Sequence, residues 1–326
     1  MGQTELNVRC HIGNLVFENP LVYGAGTCKI HDDVGKALST AAAGVELGSI
    51  TPLPRNGNEG SQLFFAYERD GVLIYTLNSL GMPNPGREAV AKWARDAILY
   101  AHNHGKLLGI NIAADTVEEI VGMVIWAVEV GFDWVTINGG CPNKFKLVDG
   151  VQVPQAILSF DSHDTIALVD QLDAQMAGCT TEIWWKPSPD NDTLGTQMMN
   201  IEIIARSHVI TGLVLNNTVP HAFAWRPNTH HKVPAIDVPG GFAGMGGPAV
   251  KPKSLGDIAR VKEKYGDRFA LIGAGGVTFD DDIAEYLACG ATITQFTSAH
   301  WASDFDYHLP GEMLTVRRSP RARLTA

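Results

Sequence analysis

Along the 326-residue chain, short apolar runs rich in β-branched and aromatic residues alternate with longer segments whose apolar residues return at helical spacing. The runs predict strands at residues 21–24, 44–50, 106–112, 134–138, 182–186, 212–216, 270–273 and 292–296. The longer segments predict helices at residues 87–102, 117–130, 165–176, 198–207, 254–265 and 280–288. Strands and helices in regular alternation build a parallel sheet. Eight such units, with no linker or short repeat between them, predict an α/β fold of one kind: a closed (β/α)8 TIM barrel, read as a single domain over residues 1–326. Residues 8–12 and 15–17 flank Gly13-Asn14 and read as an N-terminal β-hairpin that closes the barrel bottom. Residues 51–85 and 141–164 follow the second and fourth strands as long loops, expected at the catalytic face.

Composition narrows the partners. With 45% hydrophobic and 18% charged residues the chain is an ordinary soluble globular protein. A formal net charge of -10 argues against a nucleic-acid or anionic-membrane surface. The basic cluster Arg317, Arg318, Arg321 and Arg323 reads as a solvated terminus. No apolar run reaches the ~18 residues of a membrane span. The first ten residues lack a basic region followed by an apolar stretch, so no signal peptide is expected. Leu6 stands where a myristoylation site needs Ser or Thr. Cys10, Cys28, Cys141, Cys179 and Cys289 are odd in number and form no CxxC or metal spacing, so a reduced cytoplasmic protein without a metal centre is expected.

Two kinds of site chemistry emerge. The seventh strand runs into Gly273-Ala274-Gly275-Gly276, and Phe279-Asp280-Asp281 opens a helix. Glycines let backbone amides approach an anion, and the helix N-terminus adds a favourable dipole. Thr297-Ser298 after the eighth strand closes the same cup, where barrels often hold a phosphate. The glycine motif alone also suits a tight turn, and it does not distinguish FMN from a sugar phosphate. The amides of Asn78, Asn138, Asn143 and Asn217 combine donors and acceptors at one barrel mouth, matching a dihydropyrimidine-like ring. Lys186 ends a strand crowded by Trp184, Trp185 and Pro187, as a pocket lysine does.

The segment Asn138-Gly139-Gly140-Cys141-Pro142-Asn143 resembles the Asn-x-x-Cys-Pro-Asn signature of the class 1, cytosolic dihydroorotate dehydrogenases. Further similar motifs follow in family order, among them Gly24-Ala25-Gly26, Asn78-Ser79-Leu80-Gly81-Met82-Pro83-Asn84, Asn111, Lys186-Pro187, Asn217-Thr218, Gly246-Gly247 and Gly275-Gly276. The resemblance implies an FMN cofactor held by Gly24, Ala25, Gly26, Gly48, Ser49, Asn111, Asn138, Lys186, Gly246, Gly247, Gly275, Gly276, Thr297 and Ser298. It implies substrate contacts from Asn78, Leu80, Gly81, Met82, Asn138, Asn143, Asn217 and Thr218. Cys141 becomes the catalytic base, taking a proton from one carbon as a hydride leaves its neighbour for flavin N5, and Lys186 stands beside the flavin N1/C2 edge. Class 2 members carry serine in the base position and an N-terminal membrane-binding extension; this sequence shows neither. Homodimerisation is implied by the resemblance alone, and the electron acceptor is not readable.

One departure bears on substrate. Members of the family it resembles have a lysine after the second strand that contacts flavin and orotate carboxylate; here Gly48 occupies that slot, and no lysine lies between Lys36 and Lys92. Losing that partner should cost about 2–5 kcal/mol. Either Lys29, Arg55, Lys144 or Lys146 replaces it, or the substrate is not dihydroorotate, and the second reading is the expectation. The loop after Cys141 is longer than the family's and predicts a small hairpin around Asp149-Gly150. Residues 301–310 are poor in helix formers, so the last barrel helix is expected to be altered. Competing readings are a flavin-free lyase or aldolase using Lys186 as a Schiff-base amine, and a degenerate binding subunit.

Overall fold

The computed structural model describes residues 8–141, 145–148, 151–154, 158–189 and 195–302. Eight parallel strands close into a barrel. They are β1 (Leu21–Cys28), β2 (Gly44–Ile50), β3 (Leu107–Ile112), β4 (Trp134–Asn138), β5 (Glu182–Lys186), β6 (Ile210–Leu215), β7 (Ala270–Ala274) and β8 (Ile293–Phe296). Each pairs with its neighbours in chain order, and β8 pairs with β1 to shut the ring. All eight strands stand where the apolar runs place them; β1 alone is markedly longer, continuing through Gly24-Ala25-Gly26 to Cys28. The strands are almost wholly buried, covered by helices outside and packed side chains inside, which is why they read as continuous apolar runs.

Besides the short Arg87–Ala91, the α-helices among the described residues are α1 (His31–Leu38), α2 (Ala94–Asn103), α3 (Val117–Val130), α4 (Ser162–Gln175), α5 (Thr196–Ile204), α6 (Lys251–Tyr265), α7 (Asp280–Ala288) and α8 (Ser298–Ala302). Local chemistry sets several ends. Thr116 caps α3 by accepting from Glu119 N–H at 3.2 Å, and Gly131 ends it in the left-handed conformation. Asp161 caps α4 through Asp164 N–H at 3.1 Å. The predicted helix over 87–102 is two, Arg87–Ala91 and α2, separated at Lys92-Trp93. Helix α8 runs up to Ala302, the last described residue; positions 303–310, on which the expectation of an altered last helix falls, lie outside the described residues.

The hairpin at the bottom forms as predicted, Cys10–Ile12 against Leu15–Phe17. Phe17 is fully buried 5.6 Å from the Trp134 ring, and Trp134 stacks on Trp184 at 5.0 Å. Gly109 and Gly212 make room for these indoles; a Cβ on Gly212 would stand 2.5 Å from Trp184 Cδ1. Large residues opposite glycines thus fill the barrel floor.

At the opposite end an unpredicted four-stranded antiparallel sheet forms, ordered Val219–Ala222, Ala243–Gly246, Val72–Asn78, Phe64–Arg69. Its tight turn is Asp70-Gly71, both at positive φ. Asp-Gly between apolar runs was the available signal. Ala243–Gly246 comes from a third excursion, after β6, that the sequence pattern did not reveal. The predicted hairpin in the loop after Cys141 is present as Phe145–Val148 against Val151–Pro154; its turn, Asp149-Gly150, lies outside the described residues.

Candidate functional site

The C-terminal ends of the strands converge on a cleft with two lobes. The larger, about 800 Å³, is walled by residues after β6, β7 and β8 with Gly246 and Gly247 from the added sheet. The smaller, about 470 Å³, lies towards Lys29, Ser49 and the loop Leu80-Gly81-Met82. Ala25, Asn78, Cys141, Lys186, Asn217 and Trp301 border both.

The shared border is built by β4 and β5. Asn138 and Lys186 are register partners at the ends of these strands, and Gly139 N–H donates to Lys186 O at 3.1 Å. A Cβ at Gly139 would enter the Trp185 ring and one at Gly140 would meet the Pro187-Ser188 backbone, so Gly-Gly is what lets the chain turn towards Cys141. Cys141 is half-buried and in no disulfide. Asn138 Nδ2 donates to Ser49 Oγ at 2.9 Å, Asn217 Nδ2 donates to Asn138 Oδ1 at 3.0 Å, and Asn217 Oδ1 accepts from Thr218 N–H at 2.8 Å. The third amide, Asn78, ends the sheet strand paired with Gly244. Leu80, Gly81 and Met82 are pinned by Asn58, whose N–H donates to Leu80 O at 2.9 Å.

Two ammonium groups flank the thiol. Burial pulls Lys186 below the ordinary lysine range, opposed by the charges of Glu46 and Cys141. Lys29, just beyond β1, donates to Pro83 O at 2.7 Å. Burial brings it down to about 8, opposed by Cys141 and Asp33. Of the alternative cations, Arg55 bridges Asp115 at 2.5 Å, Lys144 lies outside the described residues, and Lys146 belongs to the added hairpin.

The larger lobe suits an anionic phosphate tail. Gly275 and Gly276 take positive φ of 114° and 74°, and a Cβ on Gly276 would stand 3.0 Å from Gly247 O, so two glycine turns close on each other. Thr218, Thr278, Thr297 and Ser298 add hydroxyls, and among the described residues no carboxylate stands in the wall. The α7 N-terminus does not offer Thr278 and Phe279 amides to a ligand, because Asp282 Oδ2 accepts from both, at 2.8 and 2.6 Å. A carboxylate within the first turn outcompetes an external anion for those donors, leaving the phosphate role to glycine amides.

Of the sequence-predicted residues, Ala25, Gly246, Gly247, Gly275, Gly276, Thr297, Ser298, Thr218 and Lys186 line the larger lobe. Gly26, Ser49, Leu80, Gly81, Met82 and Asn138 line the smaller. Gly24, Gly48 and Asn111 stand behind the walls: a Cβ on Gly24 would face Thr297 Oγ1 at 2.7 Å, and Asn111 is fully buried beneath Ser49. Asn143 lies outside the described residues. Sequence reasoning did not single out Gln295 or Trp301, and it kept Lys29 only among several cations.

Fold and cleft together define a barrel enzyme that binds a phosphorylated cofactor at the ends of its last strands and works on a small polar ring beside it. The chain matches the family model for dihydroorotate dehydrogenase over residues 7–307, and it belongs to that family. It is 29% identical over 295 residues to a dihydroorotate dehydrogenase (quinone) of Rhizobium meliloti (strain 1021), covering 88% of this chain and 74% of that protein. It is also 29% identical over 322 residues to a like-named enzyme of Rhizobium etli (strain ATCC 51251), covering 97% of this chain and 81% of the relative. Family members are FMN flavoproteins that oxidise a CH–CH group. These relatives carry a quinone in their names, so the comparisons support the family and not the class 1 subtype expected from the Cys141 motif.

Proposed function

We propose that the chain is a single-domain FMN-dependent dehydrogenase of dihydroorotate, with Cys141 as base. The convergence of Cys141, Lys29, Lys186 and three amides on a cleft that ends in a glycine cup carries this reading. Gly246-Gly247, Gly275-Gly276, Thr297 and Ser298 would hold the FMN phosphate, with Lys186 beside the ring. When bound, the flavin supplies the hydride acceptor. Asn78, Asn138 and Asn217 orient the pyrimidine ring, and Lys29 receives its carboxylate. Cys141 removes the proton from the carbon adjacent to the hydride-donating one; the neighbouring ammonium groups favour the negative charge a thiolate carries.

Lys29 supports dihydroorotate over a neutral analogue, since a desolvated cation in the smaller lobe matches a desolvated carboxylate. The cysteine base would join class 1 chemistry to an acceptor that the relatives' names suggest is a quinone. Anaerobic stopped-flow mixing with dihydroorotate should bleach the flavin, and reoxidation by a soluble quinone and by fumarate should be compared. A flavin that stays oxidised with dihydroorotate but bleaches with a neutral dihydropyrimidine would overturn the substrate assignment.

A further inference from the structure

Glu46 occupies the middle of β2, fully buried within the barrel, and the chemistry above leaves it unused. Its carboxylate receives four hydrogen bonds. Asn111 Nδ2 donates to Oε1 at 3.2 Å. Trp134 Nε1, Thr136 Oγ1 and Gln295 Nε2 donate to Oε2 at 3.0, 2.6 and 2.8 Å. An ionised carboxylate only accepts, so every neighbour must turn a donor towards it. An amide that turns its NH2 to Glu46 must turn its carbonyl oxygen away.

Two chains of consequences run from that constraint to the cleft. Gln295 Oε1, directed away from Glu46, is buried without a hydrogen-bond partner in a residue that lines the larger lobe. Asn111 Oδ1 accepts from the Ser49 hydroxyl at 2.5 Å, and Ser49 Oγ then accepts from Asn138 Nδ2 at 2.9 Å. Asn138 Oδ1 is left to accept from Asn217 Nδ2 at 3.0 Å and Gly140 N–H at 3.3 Å. The backbone N–H groups of Gly140 and Thr218 are fixed donors, so the far end of the chain is oriented consistently with Glu46.

We infer that Glu46 is the positioning residue that sets the hydrogen-bond polarity of the cleft, offering a carbonyl acceptor from Gln295 to an N–H of a ring bound in the larger lobe and holding Asn111, Ser49 and Asn138 in one donor–acceptor order for the pyrimidine. The inference deepens the dehydrogenase reading and rests on it for the identity of the two rings. The nearby charge of Lys186 is favoured by the same carboxylate.

Glu46→Gln changes shape least and polarity most. The indole N–H of Trp134 only donates, so the new side-chain oxygen must face it and the new NH2 must face Asn111. Asn111 then flips, its NH2 meets Ser49, and the Ser49 hydroxyl, already accepting from Asn138, sends its proton into the smaller lobe. The FMN-reconstituted E46Q protein should keep its FMN content and melting temperature. Its flavin absorption bands should shift, and its KM for dihydroorotate should rise by about tenfold, the loss expected for one mismatched buried hydrogen bond, with kcat changed less. A parental KM together with a parental flavin spectrum would overturn the inference.

Neutron diffraction from the deuterated parent protein reads the same order without any substitution. Deuterons on Asn111 Nδ2 pointing to Glu46 and on Ser49 Oγ pointing to Asn111 are expected; a deuteron on Glu46 or a reversed Asn111 amide would refute it. That readout needs no substrate, so it separates failure of this inference from failure of the dehydrogenase reading, which shows as a parent flavin that dihydroorotate does not bleach.

Discussion

Lys29 and Gly48 stand side by side, each following one member of the Cys28–Leu47 pair that joins β1 to β2. Gly48 has no room for a side chain: its φ is 116° and a Cβ would collide with Asn111 O. Lys29 lines the smaller lobe with its Nζ on Pro83 O. On the function proposed above, the cation that the second strand lacks would come from the end of the first. The absence of a lysine at Gly48 had favoured a substrate other than dihydroorotate, and Lys29 removes that ground.

Lys29→Met should lower kcat/KM for dihydroorotate by about 2–5 kcal/mol, roughly thirtyfold or more, while a neutral ester or amide of the substrate is affected little. The parent should also show an alkaline limb. Burial holds the free-enzyme ammonium at about 8 rather than 10.5, so the binding charge is present below that pH and lost as pH rises through it. Steady-state kinetics from pH 6 to 10 should place a fall in kcat/KM near pH about 8 in the parent and none in K29M.

Cys141→Ala should retain FMN, because the thiol lies at the border of the lobes rather than in the glycine cup. Removing a positioned base slows proton transfer by about 10²–10⁴-fold. Single-turnover flavin bleaching with dihydroorotate measures it, and full-rate bleaching would rule out the base assignment.

Gly276→Ala should weaken FMN. Its φ of 74° is unfavourable for alanine, and the Cβ would stand 2.8 Å from Lys251 Cβ. Strain of about 1–3 kcal/mol predicts at least about fivefold looser FMN, measured by fluorescence of released flavin on dilution.

Phe17→Ala tests the barrel floor. Phe17 is fully buried against Trp134, and its truncation should cost about 3–5 kcal/mol in urea unfolding. Kinetic constants of the folded fraction should stay near parental values, since the hairpin sits at the end of the barrel opposite the cleft.

The strands were legible because a barrel strand is buried on both faces and so writes an unbroken apolar run; β2, β4 and β5 carry the predicted bounds. The phosphate end was legible because glycines after β7 are required by backbone geometry. The added sheet was missed because its strands are only partly buried and its members come from two distant excursions. That the Thr278 and Phe279 amides are taken up was not legible, because Asp282 looks like an ordinary first-turn acid until its carboxylate is seen to occupy both.

By itself the sequence determined the barrel, the glycine cup, Cys141 just past Asn138 at the end of β4, and Lys186 on the next strand, since local pattern and spacing along each strand suffice for these. Only the tertiary structure decided that Lys29 lies beside Gly48, and that Glu46 meets side-chain donors from three other strands. Both depend on which strand lies beside which and in what register, a relation between residues far apart in the chain that no local pattern encodes.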